Sequence, residues 1–190
     1  MKSIIIYAVY LMTILNLNQL HSQVTSLWNS DTSFCFYTSD SNAENLIATK
    51  VIFDSELTKE EILDSVASYL SNTYFIPRHK YYEGKQNISI TIMDITTIDL
   101  PNKKHSIATV DIDDPDKICM GTYFQGSAGG RITFLMLVAN FMQPQLKYPL
   151  LDGLIILYNN TELKVMDHIG LEGLISEREI DSIVRQAVKY

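Results

Sequence analysis

From Ile107 to Gly173 the chain reads Ile107-Ala108-Thr109-Val110-Asp111-Ile112, then Gly126-Ser127-Ala128-Gly129-Gly130, then Asp152-Gly153-Leu154-Ile155-Ile156-Leu157, then Asn159-Asn160, and closes on Asp167-His168-Ile169-Gly170-Leu171. The first and third pieces are short, apolar and β-branched, as strands are. The small residues between them open a helix of about Gly130 to Met142. Ile132, Phe134, Leu135, Met136, Leu137, Val138, Phe141 and Met142 make that helix apolar on nearly every side. A helix of this kind is buried all round. It must be covered by the sheet and by something else, either the chain's own C-terminal segment or another protein.

Downstream, Leu154 to Tyr158 and Glu162 to Met166 read as two strands around Asn159-Asn160, residues that tolerate the positive φ of a tight hairpin turn. Upstream, Ile88, Ile90 and Ile92 alternate with Ser89 and Thr91, the period of a strand with one buried face. Pro101-Asn102-Lys103-Lys104 supplies the turn to the strand at Ile107. Thr58-Lys59-Glu60-Glu61 is a capping box, and Ile62, Val66, Tyr69 and Leu70 continue at helical spacing to about Asn72. Earlier still, Ser33 to Thr38 and Leu46 to Phe53 flank the turn chemistry of Ser39-Asp40-Ser41-Asn42 and read as a hairpin or a looser antiparallel pair. A second capping box, Ser176-Glu177-Arg178-Glu179, opens a last helix with Ile180, Ile183, Val184 and Ala187 on one stripe. The order is two strands, helix, two strands, helix, two strands, helix. It predicts a single α+β domain with a mostly antiparallel sheet of about six strands, two core helices and an extra C-terminal helix over 176–190.

The N-terminus predicts the compartment. Lys2 is a positive n-region, Ile4 to Leu15 an apolar h-region, and Ser22 a small residue before Gln23. An apolar run this short, broken by Asn16 and Asn18, falls below a membrane span and reads as a secretory signal peptide over 1–22, cleaved near Ser22. An uncleaved anchor is the alternative, because Leu20 only half meets the small-x-small rule. With no cysteine near the cleavage point, no lipid anchor is expected. The remaining residues 23–190 suit one domain, which at this size buries about 70% of its unfolded surface. The net charge of −7 argues against a nucleic-acid partner, and Arg78-His79-Lys80-Tyr81-Tyr82, the one basic and aromatic stretch, is bounded by Glu83.

Each chemical motif fails at a specific residue. Gly121 and Gly126 have P-loop spacing, but Ser127 stands where the phosphate-holding Lys belongs, so no nucleotide is expected. Gln125 occupies the first Gly position of G-x-S-x-G, which removes Ser127 as an elbow nucleophile. Asp111, Asp113, Asp114 and Asp116 suggest calcium, yet Pro115 and Asp116 replace a ligand and the turn Gly of an EF-hand loop, and Thr122 replaces its bidentate Glu. His79, His105 and His168 are scattered singly without zinc spacing. Asn87-Ile88-Ser89 and Asn159-Asn160-Thr161 match the glycosylation pattern at a strand start and in a tight turn. The sequence therefore predicts no enzyme, no cofactor and no metal. Cys35 and Cys119 are the candidate disulfide, and two buried thiols are the alternative.

Taken together, Ser106 to Ile112, Gly126 to Gly130, Val138-Ala139-Asn140-Phe141, Leu151 to Asn160 and Asp167 to Leu171 resemble the GerMN domain, the sporulation and spore-germination module. The Phe34-Cys35-Phe36-Tyr37 strand and the helix from Thr58 fall in the same order. The resemblance covers most of 23–190. It implies an extracytoplasmic domain similar to the ring-building motifs of envelope secretion machines, acting by docking on envelope proteins or by self-association, and it brings no catalytic residues. The helix from Ser176 is an addition to that pattern. A small-ligand or glycan-binding domain is the alternative, suggested by 11 Tyr, 7 Phe and Trp28, whose rings could stack on sugars. Intact mass after alkylation with and without reductant decides the cysteine question, since two labels without reductant rule out the bridge.

Overall fold

A computed structural model of the chain describes residues 34–53, 56–76, 84–101, 103–118, 122–146, 149–162 and 173–176. The leader expected over 1–22, Trp28, Arg78 to Tyr82, Cys119, Leu163 to Met166, Asp167 to Leu171 and the helix expected beyond Ser176 lie outside the described residues.

The expected α+β class holds. Strands β1 (Phe34–Ser39) and β2 (Leu46–Val51) form an antiparallel hairpin. Its turn closes as the polar residues predict: Asp40 Oδ1 accepts the N–H groups of Glu44 at 2.9 Å and Asn45 at 3.3 Å, and Ala43 takes φ 55°. Helix α1 (Lys59–Tyr69) begins at a complete capping box. The Glu61 N–H donates to Thr58 Oγ1 at 3.2 Å, and the Thr58 N–H donates to Glu61 Oε2 at 2.9 Å. The helix loosens into a π-turn over Leu70–Tyr74, where the Phe75 N–H reaches the Leu70 carbonyl at 2.9 Å.

Strands β3 (Ser89–Leu100) and β4 (Lys103–Asp113) pair antiparallel, and helix α2 (Gly126–Met142) then crosses to β5 (Gly153–Tyr158), which runs parallel to β4. A parallel connection needs a crossover of a dozen or more residues, and α2 provides it. Two short strands, β6 (Thr161–Glu162) and β7 (Ile175–Ser176), both pair antiparallel with β5. The sheet order is β3-β4-β5-β6 with β7 also on β5. The strands thus divide into a five-stranded sheet and a separate two-stranded hairpin. Asn159 and Asn160 take φ 49° and 60°, so the tight turn is where the sequence put it.

The division answers what covers α2. The helix packs against β5 and α1 and also against both strands of the hairpin, so a cover comes from the N-terminal end of the fold. Ile132, Leu135, Met136, Val138, Phe141 and Met142 are all buried. Two amide side chains join helix to hairpin. Gln143 Oε1 accepts the Cys35 N–H at 2.9 Å while Gln143 Nε2 donates to the Cys35 carbonyl at 2.7 Å. Asn140 does the same to Tyr37, at 2.9 and 2.7 Å. Each carboxamide presents an N–H and an oxygen side by side, as a strand residue presents its own N–H and carbonyl, so the two act as a neighbouring strand on the outer edge of β1. Gln143 holds φ 49° to do this, a left-handed position that a helix C-terminus usually fills with Gly.

Aromatic rings seal the hairpin. Phe34, Phe36 and Phe53 meet edge-on, and Phe36 stacks on Tyr69 of α1 with centroids 3.9 Å apart and planes at 9°. Burial raises the Tyr69 phenol above its ordinary range. Among the described residues no helix is long and apolar enough to cross a membrane.

Asn140→Leu keeps the branched heavy-atom shape and removes both hydrogen bonds to the Tyr37 main chain in the core. The expected loss is about 3 kcal/mol, read as a lower urea midpoint at unchanged m-value.

Candidate interaction surface

The residues that the sequence offered for chemistry are mostly used in holding the fold. Asp114 is fully buried, with its carboxylate accepting the Ile118 N–H and the Tyr158 hydroxyl, both at 2.8 Å. Its own N–H donates to Asn159 Oδ1 at 2.7 Å. Asp111 is also buried, and its Oδ1 accepts the Asn160 N–H at 2.8 Å. The structure therefore brings these two residues to one place, the β5–β6 turn, where the Asp111 carboxylate holds Asn160 and the Asp114 main chain holds Asn159. Asp116 points elsewhere, accepting the Gln86 N–H at 2.8 Å and pairing with Lys85 at 3.2 Å. Among the described residues, no three His, Cys, Asp or Glu side chains are grouped to hold a metal ion. Of the two glycosylation patterns, Asn159 spends its carboxamide on Asp114, whereas Asn87 is exposed.

Cys35 is buried on β1, and its candidate disulfide partner Cys119 lies outside the described residues. His105 sits on β4 with Nδ1 3.5 Å from Asp152 Oδ1. Among the described residues the aromatic rings form no stacking platform: every one of them is buried or half-buried, including Tyr74, Phe75 and Tyr123 in one cluster. A groove of about 240 Å³ lies at the start of α2, floored by Ala128, Ile132 and Leu135 and rimmed by Glu44 and Arg131. It is smaller than the roughly 300–1,000 Å³ typical of a small-molecule site.

The feature that stands apart is the far half of the β3–β4 ribbon. β5 pairs with β4 only from Ile107 to Ile112, whereas β3 and β4 stay paired out to Leu100 and Lys103. The pairs Thr97 with Ser106, Ile98 with His105, Asp99 with Lys104 and Leu100 with Lys103 therefore run past the end of β5, by about 13 Å at strand rise. The ribbon is anchored at its base. Asp152 Oδ2 accepts the Ser106 N–H at 2.9 Å, the Asp152 N–H donates to the Ser106 carbonyl at 2.8 Å, and Lys59 Nζ from the start of α1 reaches Ser106 Oγ at 2.8 Å. Beyond the anchor the side chains face solvent, with Ile98 42% and Leu100 55% exposed, and the bulged Met93 nearer the body is 50% exposed. Ile98 and Leu100 share one face. A neighbouring apolar surface on Ile107 and Leu174 extends it, since Leu174 packs over Gly153 and leaves no room there for a Cβ.

The sequence period hides this ribbon. Residues 88, 90 and 92 point to the core, and the register then shifts between Ile92 and Asp94, so that Met93 is a bulge and the core-facing position becomes Ile95. Alternation ends at Ile92 for that reason, although the strand does not. The available signal was composition: Ile95-Thr96-Thr97-Ile98 is β-branched throughout.

Comparison of the chain with protein-family models, curated proteins and solved structures finds no match.

The ion pair at Asp116 gives a pH test of the loop packing against the head of β3. The Gln86 N–H, followed by the Lys85 ammonium, holds the Asp116 carboxyl below its usual range. Its contribution to stability is thus complete above the unfolded value of about 4 and is lost as the pH falls through the lower folded value. Asp116→Asn is expected to flatten this acid limb, so that its melting temperature drops less than that of the wild type between about pH 5 and pH 2.

Proposed function

We propose that this chain is an exported, non-catalytic interaction domain that assembles with other proteins of the cell envelope, as the resemblance to GerMN domains suggests. The observation that carries the reading is the anchored β3–β4 ribbon, which holds Ile98 and Leu100 in solvent beyond the body of the sheet. Apolar side chains gain nothing in that position from folding and gain substantially from being covered. A rigid base matters equally, because a ribbon already ordered by Asp152 and Lys59 loses little conformational freedom when a partner closes on it.

Export is supported by the leader over 1–22, and the acidic balance of the chain suits a protein partner better than a polyanion. The small-ligand alternative rests on the groove beside Arg131. It is the weaker reading, because that groove is small and the aromatic rings among the described residues are engaged in packing.

The test is in-cell cross-linking of the tagged chain followed by mass spectrometry, with Ile98→Glu/Leu100→Glu run in parallel. Substitution at these exposed positions should change stability by less than about 0.5 kcal/mol. The expected result is a reproducible set of envelope proteins captured by the wild type and lost with the double variant. Capture of the same set by both forms would overturn the assignment to the ribbon.

A further inference from the structure

We propose that the outer edge of β3, from Ile95 to Asp99, takes up an extended segment of another protein as an added strand, and that this segment carries cationic residues five positions apart. The inference rests on the docking reading above and specifies its mode.

Hydrogen bonds already formed fix which way the main chain points. The Ile90 N–H turns away from β4 and donates to Ser71 Oγ at 2.8 Å. On β4, the carbonyls of Ser106 and Ile112 accept from Asp152 at 2.8 Å and Asn159 at 3.0 Å, so these residues face the β5 side. By alternation His105, Ile107 and Thr109 face β3, opposite Ile98, Thr96 and Asp94. Ile95, Thr97 and Asp99 are then the residues whose N–H and carbonyl groups point outward.

The edge is treated differently along its length. At its start Ser71, set in place by the π-turn, occupies the Ile90 donor. Past Met93, no strand among the described residues pairs with it. Folded proteins usually protect such an edge with Lys, Pro or a covering element. The β3 sequence Ser89 to Leu100 contains neither Lys nor Pro, and its bulge lies at the body end of the ribbon. An open ladder of this kind is the surface that strand-adding recognition uses.

Charge selects the occupant. β3 carries Asp94 and Asp99 and no cation. A second copy's β3 laid alongside would bring four carboxylates together with no cation on either β3 strand, so self-pairing is disfavoured. Asp94 and Asp99 lie on opposite faces of the strand, and Lys or Arg residues at i and i+5 of an added strand also lie on opposite faces. The spacing is the same for either strand direction. Asp99 is now paired only with the exposed Lys104 at 3.6 Å, a surface contact that is readily exchanged. Between the two acids, Ile95 to Ile98 favour β-branched neighbours.

A library of random octapeptides panned against the processed chain and against Thr97→Pro tests this. Pro removes an outward donor and leaves the β3–β4 ladder in place. The expected consensus is an extended sequence with Lys or Arg five apart, whose affinity falls about tenfold in Thr97→Pro. Because proline could disturb the strand, Asp94→Lys/Asp99→Lys is panned as well and is expected to select acidic peptides instead. Enrichment of the same peptides by all three proteins, or of none by the wild type, would overturn the added strand. The docking reading is separable: if Ile98→Glu/Leu100→Glu loses the cross-linked envelope proteins while the edge variants keep them, docking through the ribbon face stands and the added strand falls.

Discussion

The fold depends on a problem of unpaired main-chain groups. A two-stranded hairpin is marginal by itself, and one edge of β1 would be buried against α2 with its N–H and carbonyl groups unmet. Asn140 and Gln143 meet them, each matching one residue of β1 with a donor and an acceptor. Their contribution follows less from the bonds formed than from the desolvation cost if they were absent. The arrangement also sets the position of everything attached to the hairpin, including Phe36 on Tyr69 and thereby the packing of α1 on the same layer. Gln143 accepts a left-handed backbone to take part, which costs on the order of 1–3 kcal/mol and is tolerated because its side chain is needed where glycine has none.

A second constraint, the bulge at Met93, separates the molecule into a body and a ribbon. On the body side, β3 gives its isoleucines to the core and its first outward donor to Ser71. On the far side the same strand changes parity and leaves the sheet, carrying apolar residues into solvent. The one-residue insertion thus lets a single strand serve packing along one half and an exposed surface along the other.

Local signals in the sequence were read correctly where the cause is local. The Thr58–Glu61 capping box, the Asp40 turn and the Asn159-Asn160 hairpin each depend on atoms a few residues apart. The all-round apolarity of α2 correctly required cover on several sides. What the sequence could not supply were pairings across distance. Nothing near Asn140 or Gln143 marks them as partners of Tyr37 and Cys35, and polar residues at a helix end ordinarily face water. The acidic run likewise invites a cation when read in order, because the asparagines that Asp111 and Asp114 engage lie on a different strand. The ribbon was hidden by its own shift of period, and its anchor, Asp152, was read only as the entry to a strand.

The distance between the hairpin and its partners also bears on how the chain reaches this structure. Tyr37 and Asn140 are 103 residues apart, and Cys35 and Gln143 are 108 apart. Closing such a span carries a large loop entropy before any contact repays it. When the chain emerges from the N-terminal end, during synthesis or transport, β1 can pair with β2 at once but its other edge stays bare until α2 arrives. The earliest part of the fold to appear therefore waits for more than a hundred further residues before its second edge is met. In that interval Phe34, Phe36 and an unpaired strand edge are presented together, which makes the hairpin the segment of the nascent chain most in need of protection from premature association.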